Sequence, residues 1–186
     1  NCEAGRVSVV MSGDNGAPTR ERAAAAVRAQ TYRDLGLILC DDASTDDTWR
    51  IMQRMAAQDA RVTIFQNKTN LGLGASLNEC LARAQGTYIA RQDADDVSDS
   101  ARIERTMDFL LSSGAPDAAC GVRVFDDTGV WSTRQFPQKI TKHISAQKNP
   151  FFHPTMLFRR AVLESVNGYS ASPETRRTED YDLVMR

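Results

Sequence analysis

The stretch "YIARQDADDVSDS", Tyr88 to Ser100, puts Asp93, Asp95, Asp96 and Asp99 within seven residues, directly after a short apolar run. Carboxylates this close repel one another unless a cation sits among them or water screens them. Four chemistries use such a cluster: a solvated loop, a calcium site, a phosphatase nucleophile, or a metal clamp for a phosphorylated substrate. Asp93 and Asp95 are two apart at the expected end of a strand, so in extended backbone their side chains point the same way. Two convergent carboxylates with open neighbouring positions suit an octahedral Mg²⁺ or Mn²⁺ that also takes phosphate oxygens. An EF-hand loop needs a central Gly and a Glu at its twelfth position, and this segment has neither. In a D-x-D-G-T phosphatase stretch Gly and Thr would stand where Asp96 and Val97 do. A solvated loop, with Ser98 or Asp99 capping the next helix, is the plain alternative.

The elements that position this loop follow from the pattern along the chain. "RVSVVMS", "LGLILCDD", "RVTIFQN" and "GTYIARQ" are β-branched or apolar runs that predict four strands. Between them, "TRERAAAAVRAQTY", "ASTDDTWRIMQRMAAQ" and "GASLNECLARAQ" predict three helices, with Thr19 capping the first and Ser44 or Thr45 the second. Strand-helix alternation of this kind predicts a mostly parallel α/β sheet with helices on both faces. Such sheets bind ligands at the carboxyl ends of their strands. Three loops leave those ends, "SGDNGAP", "DDASTDD" and "DADDVSD", all carry aspartates, and they should converge on one rim. Further on, "AACGVRVFDDTGVW" predicts a hairpin added to the sheet, "PFFHPTMLFRR" a strand, "AVLESVNGY" a short helix and "TEDYDLVMR" the start of a last helix. Residues 1–100 are therefore expected to form a nucleotide-sized α/β half and 101–186 a smaller, more irregular substrate half of the same domain.

Composition narrows the function classes. The 186 residues have a formal net charge of -1, which gives no global attraction to nucleic acid or anionic lipid. No run approaches the ~18 apolar residues of a membrane span, and the start has no signal-peptide pattern. Cys2, Cys40, Cys80 and Cys120 form no C-x-x-C pair, and His occurs only at 143 and 153, which argues against zinc. Reduced, buried thiols of a cytosolic protein are expected. The chain starts at Asn1 and stops in an expected helix, so a piece of a longer protein, truncated at its C-terminus, is expected. "GLGASL" lacks the third glycine and the immediately preceding strand of a dinucleotide fingerprint; Gly72 and Gly74 are expected to shape the loop before a helix. Trp49 and Trp131 are expected to pack.

Taken in order, "VSVVM" followed by "NG", "QTYRDLGLILCDDASTDDT", "NLGLGASLN", "GTYIARQDADD", "HPTMLFRR" and "TEDYDL" resemble the inverting glycosyltransferases of family 2, with the GT-A fold, over residues 6 to 186. The resemblance makes residues 1–100 the nucleotide-sugar-binding half and 101–186 the acceptor-side half, and implies a nucleotide-sugar donor, usually UDP-linked, a Mg²⁺ or Mn²⁺ ion, and a saccharide or lipid-linked acceptor. It makes Asp95 the metal ligand and places Asp93 near the ribose and the metal's waters, with Asp96 in support. Asp42, with Asp41 beside it, resembles the carboxylate that accepts from uracil N3–H; a helix-capping acid is its plain alternative, as it is for Asp46 and Asp47. Asp180 in "TED" resembles the catalytic base, with Glu179 orienting acceptor; as acids in a helix's first turn they would need no such role. Arg91 is a counter-charge to Asp93 or to phosphate. His153 is either a structural turn residue or a polar contact to diphosphate, metal or acceptor. The family's setting implies a cytoplasmic protein, at the inner face of the membrane when full-length.

The first loop departs from the family, which usually reads Pro-x-Tyr-Asn there. Ser12 stands for the proline and Asp14 for the aromatic, so a stacking side chain is replaced by a third rim carboxylate beside the donor. Gly36 stands where a charged residue is commoner. A non-catalytic sugar-nucleotide-binding or scaffold domain is the rival reading; a nucleotidyltransferase is a second, but its G-x-G-T-R entry is missing after the first strand.

Overall fold

A computed structural model describes residues 5–135 and 151–186; Cys2, His143 and Pro150 lie outside them. The four expected strands form as β1 (Val7–Gly13), β2 (Leu35–Asp41), β3 (Val62–Gln66) and β4 (Tyr88–Arg91). They pair in parallel in the order β3-β2-β1-β4. The helices between them are α1 (Arg20–Arg28), α2 (Thr48–Gln58) and α3 (Leu73–Arg83), and α4 (Arg102–Ser113) follows the acidic loop.

The period of two along β1 divides the core into two layers. Val7, Val9 and Met11 meet α1, α2 and α4 through Ala24, Met52 and Met107, whereas Val10 meets Leu77 and Cys80 of α3. The crossovers through α1 and α2 thus lie on one face and that through α3 on the other. The winding reverses between β1 and β4, and the carboxyl ends of these two strands are the usual ligand position in such sheets.

The second half of the chain completes the same sheet. β8 (Leu157–Arg159) pairs antiparallel with β4, and β5 (Asp117–Ala118) pairs onto β8. The hairpin of β6 (Val122–Asp126) and β7 (Gly129–Arg134) does not join it, contrary to expectation, and forms a separate two-stranded sheet. The edge it would have extended is occupied by β8 and β5. Trp131 accordingly is 65% exposed rather than packed, while Trp49 packs against the core as expected. Cys40, Cys80 and Cys120 are free thiols, the first two buried.

Two short helices, α5 (Arg160–Ser165) and α6 (Glu179–Met185), close the α3 face with Leu163 and Leu183. Between them the backbone crosses α3 so closely that a Cβ on Gly74 would stand 2.7 Å from the Ser170 carbonyl oxygen. A helical Gly→Ala change ordinarily gains about 1 kcal/mol. Here it must displace backbone, so Gly74→Ala is expected to lower stability by about 1–3 kcal/mol in urea unfolding. A gain in stability would show that the crossing backbone yields freely.

Candidate functional site

Three loops meet at the crevice. The first, after β1, is tied to the second, after β2, through Asn15, whose φ is 48°. Its Oδ1 accepts from the Thr45 amide and hydroxyl, both at 3.1 Å, and its own amide donates to Ser44 Oγ at 2.8 Å. Gly16 N donates to Thr48 Oγ1 (2.9 Å) and Ala17 N to Asp46 Oδ2 (3.1 Å). Ser44 and Thr45 therefore do not cap α2, because their groups are engaged by the loops; Asp46 Oδ1 instead accepts from Thr48 N at 3.0 Å. Asp14 is exposed on this rim and accepts from Asn15 Nδ2. The sequence reading passed over Asn15; the Asn-Gly pair, with its tolerance of positive φ, was the available signal.

Asp41 and Asp42 are both buried. Asp41 Oδ1 accepts from the amide and hydroxyl of Ser44 and its Oδ2 from Gln66 Nε2 at 2.7 Å. Asp42 Oδ1 accepts from Asn67 Nδ2 (2.8 Å) and Leu71 N (2.9 Å), and its Oδ2 from Gly72 N (2.9 Å). The carboxylate expected to face a nucleobase thus folds the 67–72 loop. Among the described residues each of the two accepts a single hydrogen bond on Oδ2, which leaves that oxygen one acceptor position.

The acidic loop is organised by residues the sequence reading did not single out. β4 ends at Arg91 and the chain bends at Ala94 and Asp95, so the extended-backbone argument for a common direction of Asp93 and Asp95 does not apply. Gln92 Nε2 gathers the loop by donating to the Asp93 and Asp96 carbonyls, both at 3.1 Å. Arg102 donates to the Arg91 carbonyl (2.6 Å), Gln92 Oε1 and Ser98 Oγ, and burial pulls its pKa down to about 10. Fully buried Arg91 pairs with Asp93 Oδ1. Asp99 Oδ1 accepts from Ala101 N and opens α4, whereas Ser98 donates to Gln92 and caps nothing. Desolvation, and then the charges of Asp93 and Asp95, hold Asp96 above the ordinary carboxylate range. Among the described residues no three His, Cys, Asp or Glu side chains converge as a closed cation cage. Asp93 and Asp95 are hard oxygen donors crowded by like charge, which fits a Mg²⁺ or Mn²⁺ completing its shell with water and phosphate oxygens.

Across the crevice, Glu179 is buried against Gly74, its Cγ 3.2 Å from where a Cβ there would be, and Asp180 is half-buried in the first turn of α6. Tyr169 is buried, and burial pushes its hydroxyl pKa up, opposed by the Arg91 charge and aided by those of Asp93 and Asp180. Its hydroxyl meets His153 Nε2 at 2.8 Å. Burial and the nearby Arg91 charge push His153 down to about 2, so it is neutral. With Nε2 engaged by Tyr169, the imidazole occupies the buried turn position and does not present that nitrogen to the acidic loop.

A mostly parallel sheet in the order β3-β2-β1-β4-β8-β5, flanked by helices, is a GT-A class of fold. The glycosyl transferase family 2 model matches residues 8–166, and the chain belongs to that family. EpsE of Bacillus subtilis (strain 168), which carries the name of a glycosyltransferase, is 42% identical over 183 residues, 97% of this chain and 66% of its own length. Two solved structures share the fold at 19% identity. S. aureus TarS 1-349 in complex with UDP matches 97% of this chain and 54% of its own, with a TM-score of 0.79. The mannosyltransferase PcManGT from Pyrobaculum calidifontis, in complex with GDP-Man and Mn2+, matches 98% and 51%, with a TM-score of 0.76. The chain thus spans two thirds or less of each of these proteins.

The neutral His153 has a stability consequence. An unfolded His titrates near 6.5. Between that value and about 2 the unfolded chain binds the extra proton, so this group's contribution falls as pH falls through the window. Urea unfolding at pH 6.5 and 5.5 should show the native protein losing up to about 1 kcal/mol more than His153→Gln. Equal losses would contradict a buried neutral imidazole.

Proposed function

We propose that the protein is an inverting glycosyltransferase that moves a sugar from a UDP-sugar to a hydroxyl of a saccharide or lipid-linked acceptor. The observation that carries this reading is that the loops bearing Asp14, Asp42 and Asp93 leave the carboxyl ends of β1, β2 and β4, beside the winding reversal of a sheet of this family. Nucleotide complexes of two proteins with this fold support a donor of that kind.

In this proposal Asp180 accepts the proton of the acceptor hydroxyl as its oxygen attacks the anomeric carbon. Attack comes from the face opposite the leaving diphosphate, so a single displacement inverts the configuration and needs no enzyme nucleophile. Glu179 orients the acceptor side. Asp95 and Asp93 would hold Mg²⁺ or Mn²⁺, which supplies neutralisation of the diphosphate charge. The PcManGT complex containing Mn2+ supports a divalent ion. Arg91 holds Asp93 in place through their ion pair. For the base, the one open position on Asp42 Oδ2 suits the single N3–H of uracil, whereas guanine presents two adjacent donors that call for both carboxylate oxygens. A cytoplasmic location at the inner membrane face goes with this proposal and its lipid-linked acceptor; among the described residues no helix is long and apolar enough to cross a membrane.

Thermal shift with UDP, GDP and dTDP, each with and without Mn²⁺, tests the donor. Stabilisation by UDP with Mn²⁺ that Asp95→Ala abolishes is expected; no metal dependence with any nucleotide contradicts it. Asp180→Ala should keep donor binding and lower transfer by about 10²–10⁴-fold. Loss of binding instead would assign Asp180 to the donor.

A further inference from the structure

Arg20 opens α1, has no exposed surface, and takes no part in the steps above. One guanidinium nitrogen donates to the Cys40 carbonyl (3.1 Å) and another to the Gly13 carbonyl (2.9 Å), while Nε has no partner. No carboxylate among the described residues forms an ion pair with it. A buried cation in this state is costly, and burial pushes its pKa down against the more distant charges of Asp41 and Asp46. An apolar side chain would fill the same space without that cost.

The two carbonyls show what the charge does. Cys40 O immediately precedes Asp41, and Gly13 O also accepts from Asp42 N at 3.1 Å. Arg20 therefore grips the backbone just before Asp41 directly and reaches the Asp42 amide through the Gly13 carbonyl they share. The first loop wraps the same group. Gly16 O accepts from Arg20 N at 2.9 Å, and a Cβ on Gly13 or Gly16 would lie 3.3 or 3.2 Å from the guanidinium. Gly16 N in turn reaches Thr48, closing the first loop onto the second.

We propose that Arg20 is a positioning residue for the nucleoside of the donor, setting the two base-side loops so that Asp42 Oδ2 stands where a pyrimidine N3–H can reach it. This rests on the donor reading above. The first loop, Ser12 to Gly16, carries no aromatic side chain, so base contact in this reading relies on the seating of Asp42. Loosening the grip therefore weakens nucleoside binding and its preference for an N3–H donor, and leaves the displacement at the anomeric carbon unchanged once donor is bound.

The test compares Arg20→Met, Arg20→Lys and the native protein in UDP-sugar hydrolysis, with UDP and CDP as competing ligands. Folding is checked by circular dichroism and urea unfolding. Folded Arg20→Met should raise the donor KM at least tenfold, change kcat less than threefold, and bring UDP and CDP to within threefold of each other. Arg20→Lys should fall between it and the native protein. Should Arg20→Met not fold, Gly16→Ala retains the charge but presses a Cβ on Nε, and the same KM rise and loss of base preference are expected. Unchanged KM and base preference in the folded variants overturn the inference while leaving the donor reading intact. A native protein that binds no nucleotide overturns the donor reading and this inference with it.

Discussion

The structure depends on how carboxylates are kept from repelling one another at the ends of parallel strands. Asp41, Asp42, Asp93, Asp95, Asp96 and Asp180 gather about one crevice, and the protein answers their charge in two ways. On the base side, amides and side-chain donors of Ser44, Gln66, Asn67, Leu71 and Gly72 fill most of the lone pairs. On the acidic-loop side, among the described residues, only Arg91 forms an ion pair, with Asp93, and Asp96 is left with a raised pKa. One wall is thus locked by neutral hydrogen bonds, and the other retains a deficit of positive charge that a cation can fill.

Buried guanidinium groups underlie both walls. Arg20 holds the ends of β1 and β2, Arg91 ends β4, and Arg102 binds the backbone where the acidic loop departs. Each leaves Nε without a partner. In a low-dielectric interior their charge is weakly screened and favours ionised carboxylates above it. This account makes the crevice ready for a phosphorylated ligand and costly to remodel.

The fold was legible in the sequence because hydrophobic period and turn residues act locally. The runs around Val9, Leu37, Ile64 and Ile89 became the four strands, and the loops carrying Asp14, Asp42 and Asp93 met on one rim. The hairpin around Phe125 and Trp131 is expected on the main sheet but pairs only within itself, since period and turn residues specify a hairpin and not which sheet edge it joins. Beyond β4 the sheet continues through β8 and β5 instead, a pairing of which period alone carries no trace. The candidate carboxylates were legible as types in a pattern, but their hydrogen bonding was not. Asn67, Gln66 and Gln92 are ordinary polar residues along the chain and acquire roles only where the strands end together. Arg20 was hidden among the charges of an amphipathic helix, and only its burial distinguishes it.

The central claim is a single displacement at the anomeric carbon, assisted by a carboxylate base across the crevice from the diphosphate. The most direct measurement is proton NMR of the sugar first released when the protein hydrolyses an α-linked UDP-sugar, recorded before mutarotation. The account predicts the β-anomer. Initial release of the α-anomer would contradict it, because net retention requires a second displacement that this arrangement of Asp93, Asp95 and Asp180 does not provide.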